Sequence, residues 1–361
     1  MIIGMLTGGG DCPGLNAVIR AVVRKGTFRY GDKFVGFLEG WRGVLENKVM
    51  PLDLETTAGI LPRGGTILRT SRTNPAKSAD GIKRCLQNLR QHKCEALISI
   101  GGDDTQSVAF KLHNEGFPVI GIPKTIDNDL SGTDFCFGFD TAVEAATDAV
   151  DRLHSTAEAH NRVMVVEVMG RDSGWIAIYA GIAGGADVIL TPERPFSIDH
   201  IAEILRRRHA RSGRYFSIIV VAEGAKLGGD HLDPTRTGPV VQDLSKDEFG
   251  HARLGGIGNV LAREIEHRTG LETRAVVLGH IQRGGTPSAF DRVLASRYGI
   301  GAIDAAHRGE FGTLIALRGN SITPIPLQEA LGRTRTVDNE MTAVAEGLLE
   351  MPLEDEQRAA S

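Results

Sequence analysis

The sequence predicts an α/β fold with largely parallel sheets. Three observations point there. Short apolar runs recur along the 361 residues, and most contain Val or Ile without alternating, as strands buried on both faces do. Stretches of helical spacing lie between them, which is the order expected of parallel strands joined by crossover helices. Glycine-rich turns stand where several of the strands end, and open sheets of this class bind ligands at the carboxyl ends of their strands.

Taken in order, Ile2 to Leu6 is the first strand, followed by a helical stretch from Asn16 to Lys25. Phe34 to Leu38 is the next strand. Gly81 to Gln91 reads as a helix. Ala96 to Ile100 and Val119 to Ile122 are short apolar strands separated by a further helix. Ala142 to Ala157 is a long helix, Val163 to Val168 a strand, Ile201 to Arg211 a helix and Ile218 to Val221 a strand. Ala275 to Leu278, the helix Arg292 to Ala306 and the strand Leu314 to Leu317 complete the series. Gly224 to Gly250 is rich in Gly, Asp and Pro and reads as a surface loop or hairpin, and 351–361 as a polar tail. No repeat or low-complexity linker divides the chain.

Hydrophobic residues at 41% and charged residues at 24% are ordinary globular usage, which excludes a mostly disordered or fibrous chain. Lys plus Arg (41) nearly balance Asp plus Glu (45), a net charge of -4 that argues against a nucleic-acid partner. The four cysteines, Cys12, Cys85, Cys94 and Cys136, form no CxxC pair and read as reduced thiols. No run approaches about 18 apolar residues, and the opening MIIGMLTGGG has no basic n-region, so a cytoplasmic protein with no membrane partner is expected. The 45 glycines, about one residue in eight against an average near 7%, require another explanation.

That explanation lies in three loops. Gly8-Gly9-Gly10-Asp11-Cys12-Pro13-Gly14 joins the first strand to the first helix, where backbone N–H groups and the helix N-terminus suit a phosphate. It is neither a dinucleotide fingerprint nor a Walker A loop, since Pro13 and Leu15 stand where glycine and lysine are needed. Gly101-Gly102-Asp103-Asp104-Thr105 repeats the arrangement; capping accounts for one carboxylate, while two beside a glycine turn suit Mg²⁺ shared with substrate phosphates. Pro123-Lys124-Thr125-Ile126-Asp127-Asn128-Asp129 gathers carboxylates, an amide, a hydroxyl and an ammonium, a set suited to acid-base work on a hydroxyl beside a phosphate. Further along, Met169-Gly170-Arg171, Glu223-Gly224 and His280-Ile281-Gln282-Arg283-Gly284-Gly285 follow strands, with Arg162 and Arg274 at the opposite strand ends. Arginine forks suit phosphate and Glu223 suits a sugar hydroxyl.

These motifs, with Gly64-Gly65-Thr66 and running in one order through most of the chain, resemble the 6-phosphofructokinases. TIDND and HIQRGG carry the resemblance, because GGD with a small residue also occurs in NAD and diacylglycerol kinases. The resemblance implies that Asp127 is the general base toward the 1-hydroxyl of fructose 6-phosphate, in a reaction of glycolysis. It implies substrate contacts at Thr125, Ile126, Asp127, Arg162, Met169, Gly170, Arg171, Glu223, Arg274, His280, Ile281, Gln282 and Arg283. Gly10 would bind the phosphoryl donor and Asp103 would hold Mg²⁺ as cofactor. Arg162 and Arg274 would reach a neighbouring subunit's site, so a homodimer or homotetramer with shared active sites is implied. The implied architecture is two three-layer α/β lobes with the active site in the cleft between them: 1–138 plus 251–306 on the donor side, and 139–250 plus 307–350 on the sugar-phosphate side.

Position 104 is glycine in typical ATP-using relatives and Asp104 here. A carboxylate there fills the α-phosphate position and sets like charges together, whereas pyrophosphate has no such group. With Lys124, this resembles the pyrophosphate-dependent enzymes of the mixed-substrate group, and it places Asp127, Lys124 and Asp104 as catalytic residues. Two other readings stay open: an ATP-dependent enzyme that tolerates Asp104, and a non-catalytic sugar-phosphate-binding subunit, against which the intact Asp103, Asp127 and Asp129 set argues. Arg20 and Arg24 match effector-site positions of regulated relatives, yet His154 stands where those have arginine, and helix-surface charge explains the pair equally well.

Overall fold

The structure, a computed structural model, describes residues 1–211, 216–228, 239–246, 248–250 and 252–348. The chain starts with β1 (Ile2–Thr7), α1 (Leu15–Tyr30), β2 (Lys33–Phe37), α2 (Trp41–Glu46), β3 (Val49–Leu52), α3 (Gly81–Gln91), β4 (Ala96–Gly101), α4 (Asp103–Asn114) and β5 (Val119–Pro123). β4 and β5 are buried at every residue, and β1 at all but Ile2, which is why their sequences do not alternate. α1 stops where Gly31 takes a φ of 68° and turns its N–H back to the carbonyls of Gly26 and Thr27.

The middle of the chain supplies α5 (Phe139–His160), β6 (Val163–Val168), α6 (Trp175–Ala183), β7 (Val188–Leu190), α7 (Ile198–Arg211), β8 (Ser217–Ala222), β9 (Val241–Lys246), β10 (Ala252–Leu254), α8 (Ile257–Thr269) and β11 (Thr273–Val277). The last part supplies α9 (Ala289–His307), β12 (Thr313–Arg318), β13 (Ser321–Pro326), α10 (Leu327–Ala330) and α11 (Asn339–Leu348). None of the helices among the described residues is long and apolar enough to cross a membrane.

These elements form two compact units. The first comprises 1–141, 246–251 and 283–334, and holds a seven-stranded sheet in the order β13-β12-β5-β4-β1-β2-β3. Its five central strands are parallel, while β3 and β13 pair antiparallel at the two edges. One face packs Leu6, Leu97, Val119, Leu314 and Ala316 against apolar residues of α2, α3, α4 and α10. The alternate residues face α1 and α9: a Cβ at Gly301 of α9 would meet Ile315. α9 crosses α1 so closely at Gly299 that a Cβ there would sit 2.9 Å from Ala21 Cβ and from the Val18 carbonyl.

The second unit comprises the described residues of 142–245, 252–282 and 335–348, and holds the parallel sheet β11-β6-β8-β7. α7 and α8 cover one face through Ile201, Leu205, Leu261 and Ile265. On the other, a Cβ at Gly181 of α6 would meet Ile189. Each fully buried aliphatic side chain contributes roughly 1.5–3 kcal/mol, so both sheets have helical layers that hold them strongly. Both units are therefore three-layer α/β, as expected.

The division of the chain differs from the expected one. The first crossing falls at 141/142, close to position 138, but 252–282 belongs to the second unit and 307–334 to the first. Strand pairing is the reason. β11 joins β6 with Arg274 opposite Met164, and β12 joins β5 with Leu314 opposite Gly121. The stretch 224–250, expected as a surface loop or hairpin, contributes β9, which pairs with β10 just beyond it, while 229–238 and the polar tail 351–361 lie outside the described residues.

Candidate active site

In the first unit, three loops leave the carboxyl ends of the adjacent parallel strands β1, β4 and β5. The glycine loop after β1 is fixed by backbone bonds from Gly8 N–H to the Ile100 carbonyl (2.9 Å) and from Gly9 N–H to the Ser71 carbonyl (3.3 Å). Gly9 has a φ of 80° and Gly14, which precedes α1, has 107°, so both use a region that other residues enter at a cost. A Cβ at Gly10 would land on the Arg283 guanidinium, which also donates from Nη1 to the Asp11 carbonyl (3.2 Å). Arg283 thus lies over the loop.

The loop after β5 meets this one through Lys124. The residue is 3% exposed, and its Nζ donates to the Gly10 carbonyl at 2.6 Å. Burial pushes its pKa below the ordinary lysine range, with Arg283 adding to the effect and Asp11 and Asp127 opposing it. Asp127 N–H donates to Thr125 Oγ1 at 3.1 Å, which orients the loop at the proposed base. Asn128, at a φ of 53°, is held by its Oδ1 accepting the Cys136 N–H at 2.9 Å. Ile126 is 1% exposed, so its side chain belongs to the core and only its backbone is offered to a ligand.

After β4, Gly102 takes the N-cap position, and both Asp103 and Asp104 lie in the first turn of α4. Gly102 makes no side-chain cap bond. Neither carboxylate is the N-cap residue, and the pair sits at the positive end of the helix dipole. Asp103 is exposed and makes one long contact, from the Gly332 N–H at 3.4 Å.

In the second unit, Met169, Gly170 and Arg171 follow β6, and Glu223 follows β8. Glu223 N–H donates to the Val168 carbonyl (2.8 Å) and Gly224 N–H to that of Gly170 (3.0 Å), so adjacent parallel strands bring the two segments together. Gly170 has a φ of 132°. His280 and Ile281 are exposed beyond the end of β11, Ile281 at 72%. The Gln282 side chain is turned into the protein. It is fully buried; its Oε1 accepts the Met169 N–H (3.3 Å) and its Nε2 donates to the Gly279 carbonyl (3.1 Å), so it ties the His280 turn to β6. Arg162 and Arg274 sit at the opposite, amino ends of β6 and β11, where both reach Glu272, at 2.8 and 2.6 Å.

A family model described as phosphofructokinase matches residues 2–306. The chain belongs to the phosphofructokinase family. Among its relatives, the pyrophosphate--fructose 6-phosphate 1-phosphotransferase of Streptomyces coelicolor is 57% identical over 94% of this chain and 96% of its own. ATP-dependent 6-phosphofructokinase 3 of the same organism is 49% identical over 97% and 100%. The crystal structure of Pichia pastoris phosphofructokinase in the T-state superposes with a TM-score of 0.79 at 31% identity, over 96% of this chain; this chain spans 36% of that longer one.

Enzymes of the phosphofructokinase family generally use Mg²⁺. No group of three or more His, Cys, Asp or Glu among the described residues could cage a metal. Asp103 and Asp104 fit the ion differently: two carboxylates of a helix turn suit a hard cation that keeps phosphate oxygens and water as its other ligands. Sequence reasoning named Gly64-Gly65-Thr66 but gave no role to the segment 63–72 that backs the glycine loop. Asn16 Nδ2 donates to the carbonyls of Arg63 and Gly64, Thr70 Oγ1 to that of Gly9 (2.6 Å) and Thr7 Oγ1 to that of Arg69 (2.8 Å). Its signal was the Gly64-Gly65-Thr66 motif. It also missed Glu167, 2% exposed, which accepts the N–H groups of Gly256 and Gly258 at the start of α8.

Proposed function

We propose that this phosphofructokinase transfers a phosphoryl group from pyrophosphate to the 1-hydroxyl of fructose 6-phosphate, reversibly, giving fructose 1,6-bisphosphate and phosphate. The observation that carries the reading is the seating of the buried Lys124 ammonium against the Gly10 carbonyl, beside Asp127 and under Arg283. Phosphoryl transfer needs little covalent chemistry from the protein, so positioning and charge supply most of the rate. Asp127 accepts the proton of the attacking hydroxyl, with Thr125 holding the backbone of the base in place. Lys124 and Arg283 offset charge that grows on the transferred group, and the Gly8 to Gly10 backbone receives the donor. Asp103, with Asp104 beside it, would hold Mg²⁺, which when bound neutralises phosphate charge. Asp104 also disfavours a nucleotide, because a carboxylate there opposes an α-phosphate.

The sugar phosphate is assigned to Thr125, Met169, Gly170, Arg171, Glu223, His280, Ile281 and Arg283, with Gln282 acting through Met169. Arg162 and Arg274 serve a second copy of the chain. At about 3.3 Å per residue the two ends of β6 are about 20 Å apart, too far for one sugar phosphate to span, so these two arginines cannot serve their own chain's Met169 to Arg171. A homo-oligomer with shared sites follows from that reading.

The test is the purified protein with fructose 6-phosphate and Mg²⁺, given pyrophosphate or ATP. Rapid turnover with pyrophosphate and near inertness with ATP is expected. Because a relative named as ATP-dependent is 49% identical, equal turnover with ATP would remove the donor assignment and leave the phosphofructokinase reaction.

A further inference from the structure

We infer that Asp291, Thr141 and Ser288 form a positioning latch that holds Arg283 over the glycine loop, although none of the three touches substrate. The latch joins the amino ends of α5 and α9. Asp291, 0% exposed in the first turn of α9, accepts with Oδ2 both the Thr141 N–H (2.8 Å) and the Thr141 hydroxyl (2.5 Å). Thr141 Oγ1 in turn accepts the Ser288 N–H at 3.0 Å. Ser288 Oγ donates to Asp140 Oδ2 at 2.5 Å and accepts the Asp291 N–H at 3.2 Å, capping α9.

Two helix N-termini therefore share one set of hydrogen bonds. The Thr141 N–H is one of the first-turn donors that α5 cannot satisfy itself, and a carboxylate from the other helix satisfies it. Asp291 is moreover close enough to Cys12 in the glycine loop to raise that thiol's pKa. Burial raises its own carboxyl to about 6, while the bonds from Thr141 hold it down.

The link to Arg283 is the segment Arg283-Gly284-Gly285-Thr286-Pro287-Ser288. Two consecutive glycines give it little stiffness of its own, and Gly285 has a φ of 88°. The guanidinium bonds the Asp11 carbonyl; the segment that carries it begins after the buried Gln282, passes with its Gly285 carbonyl where a Cβ at Gly64 would fall, and ends at the Ser288 latch. Two of the five chain crossings, at 141/142 and 282/283, lie within six residues of a latch member. This inference rests on the proposed role of Arg283 toward fructose 6-phosphate.

A double-mutant cycle tests it. Thr141→Val keeps the shape, removes a hydroxyl and leaves the Ser288 N–H and Asp291 short of a partner. It should lower kcat/KM for fructose 6-phosphate about tenfold, through KM rather than kcat, as loss of a buried charge-assisted bond predicts. In an Arg283→Ala background the same change should cost less than about twofold, while the fall in Tm is alike in both backgrounds. A purely structural latch would move Tm and act equally in both, and that result, or an unchanged KM, overturns the inference. Ser288→Ala, which spares the Thr141–Asp291 bonds, gives the same comparison at smaller amplitude should Thr141→Val not fold. Absence of turnover in the unaltered protein with either donor overturns the phosphofructokinase reading and the latch with it.

Discussion

Replacing Lys124 by Met removes one charge while keeping the length of the side chain. In the folded protein the ammonium is 3% exposed and bound to the Gly10 carbonyl at 2.6 Å. Losing that bond leaves a carbonyl short of its partner at a cost of about 1–3 kcal/mol, and relief from burying an ammonium offsets part of it. Stability should therefore change by no more than about 2 kcal/mol. The rate should change far more. A preorganised cation aimed at developing charge is worth about 10²–10³ in kcat, so the variant should turn over with pyrophosphate that much more slowly at nearly unchanged Tm. The pH dependence adds a check on sign. Burial lowers the Lys124 pKa, so the folded chain gives up this proton at lower pH than the unfolded chain does. Through that window the unfolded state binds more protons, and this group's contribution to stability rises with pH while kcat falls. The alkaline limb of kcat should lie below the ordinary lysine value of about 10.4 and be missing from the variant. Steady-state kinetics in both directions, with Tm by calorimetry, measures all of this. A variant within about threefold of the wild-type kcat would refute the argument.

Asp127→Asn should lower kcat by about two orders of magnitude or more with little change in fructose 6-phosphate affinity, measured by titration calorimetry beside the rate assay. Half of the wild-type kcat would remove Asp127 from the base role. Asp104→Gly should admit ATP to a measurable degree and slow the pyrophosphate reaction, read from both donors in one assay; continued inertness with ATP would show that the carboxylate is not the barrier. Arg162→Ala should raise KM for fructose 6-phosphate, and at low fructose 6-phosphate hetero-oligomers of Arg162→Ala with Asp127→Asn should be more active than either parent. Verified hetero-oligomers without activity would count against shared sites.

Much of this was legible in the sequence because burial on both faces leaves an unmistakable pattern. Val163 to Val168 reads as a strand and is one, and Gly81 to Gln91 matches α3 residue for residue. The loops that follow β1, β4 and β5 were found for the same reason: glycine and carboxylate runs stand out at the ends of apolar strands. The edge strands β3 and β13 were not found. Pro51, Pro324 and Pro326 interrupt them, and an edge can accept proline because half of its backbone groups need no partner. Strand partners at long separation leave no local trace, so the pairing of β11 with β6 was missed and the boundaries of the units with it. The sequence did not reveal that the Gln282 amide is buried and occupied by backbone groups, because burial depends on the fold and not on the residue's neighbours in the chain.

Cys12 stands in the middle of the glycine loop, yet it is shut away, with its thiol donating to the Phe137 carbonyl at 3.7 Å. Burial raises its pKa to about 12 against the pull of Lys124. Only the thiolate attacks peroxides and alkylating reagents, and at that pKa roughly one molecule in 10⁵ carries it at neutral pH. Cys85, Cys94 and Cys136 are likewise buried and in no disulfide. Oxidants that act on thiolates thus find little of Cys12 to attack. A maleimide reaches Cys12 only when the loop opens, so the labelling rate of that one thiol is a clock for how often the phosphate cradle comes apart.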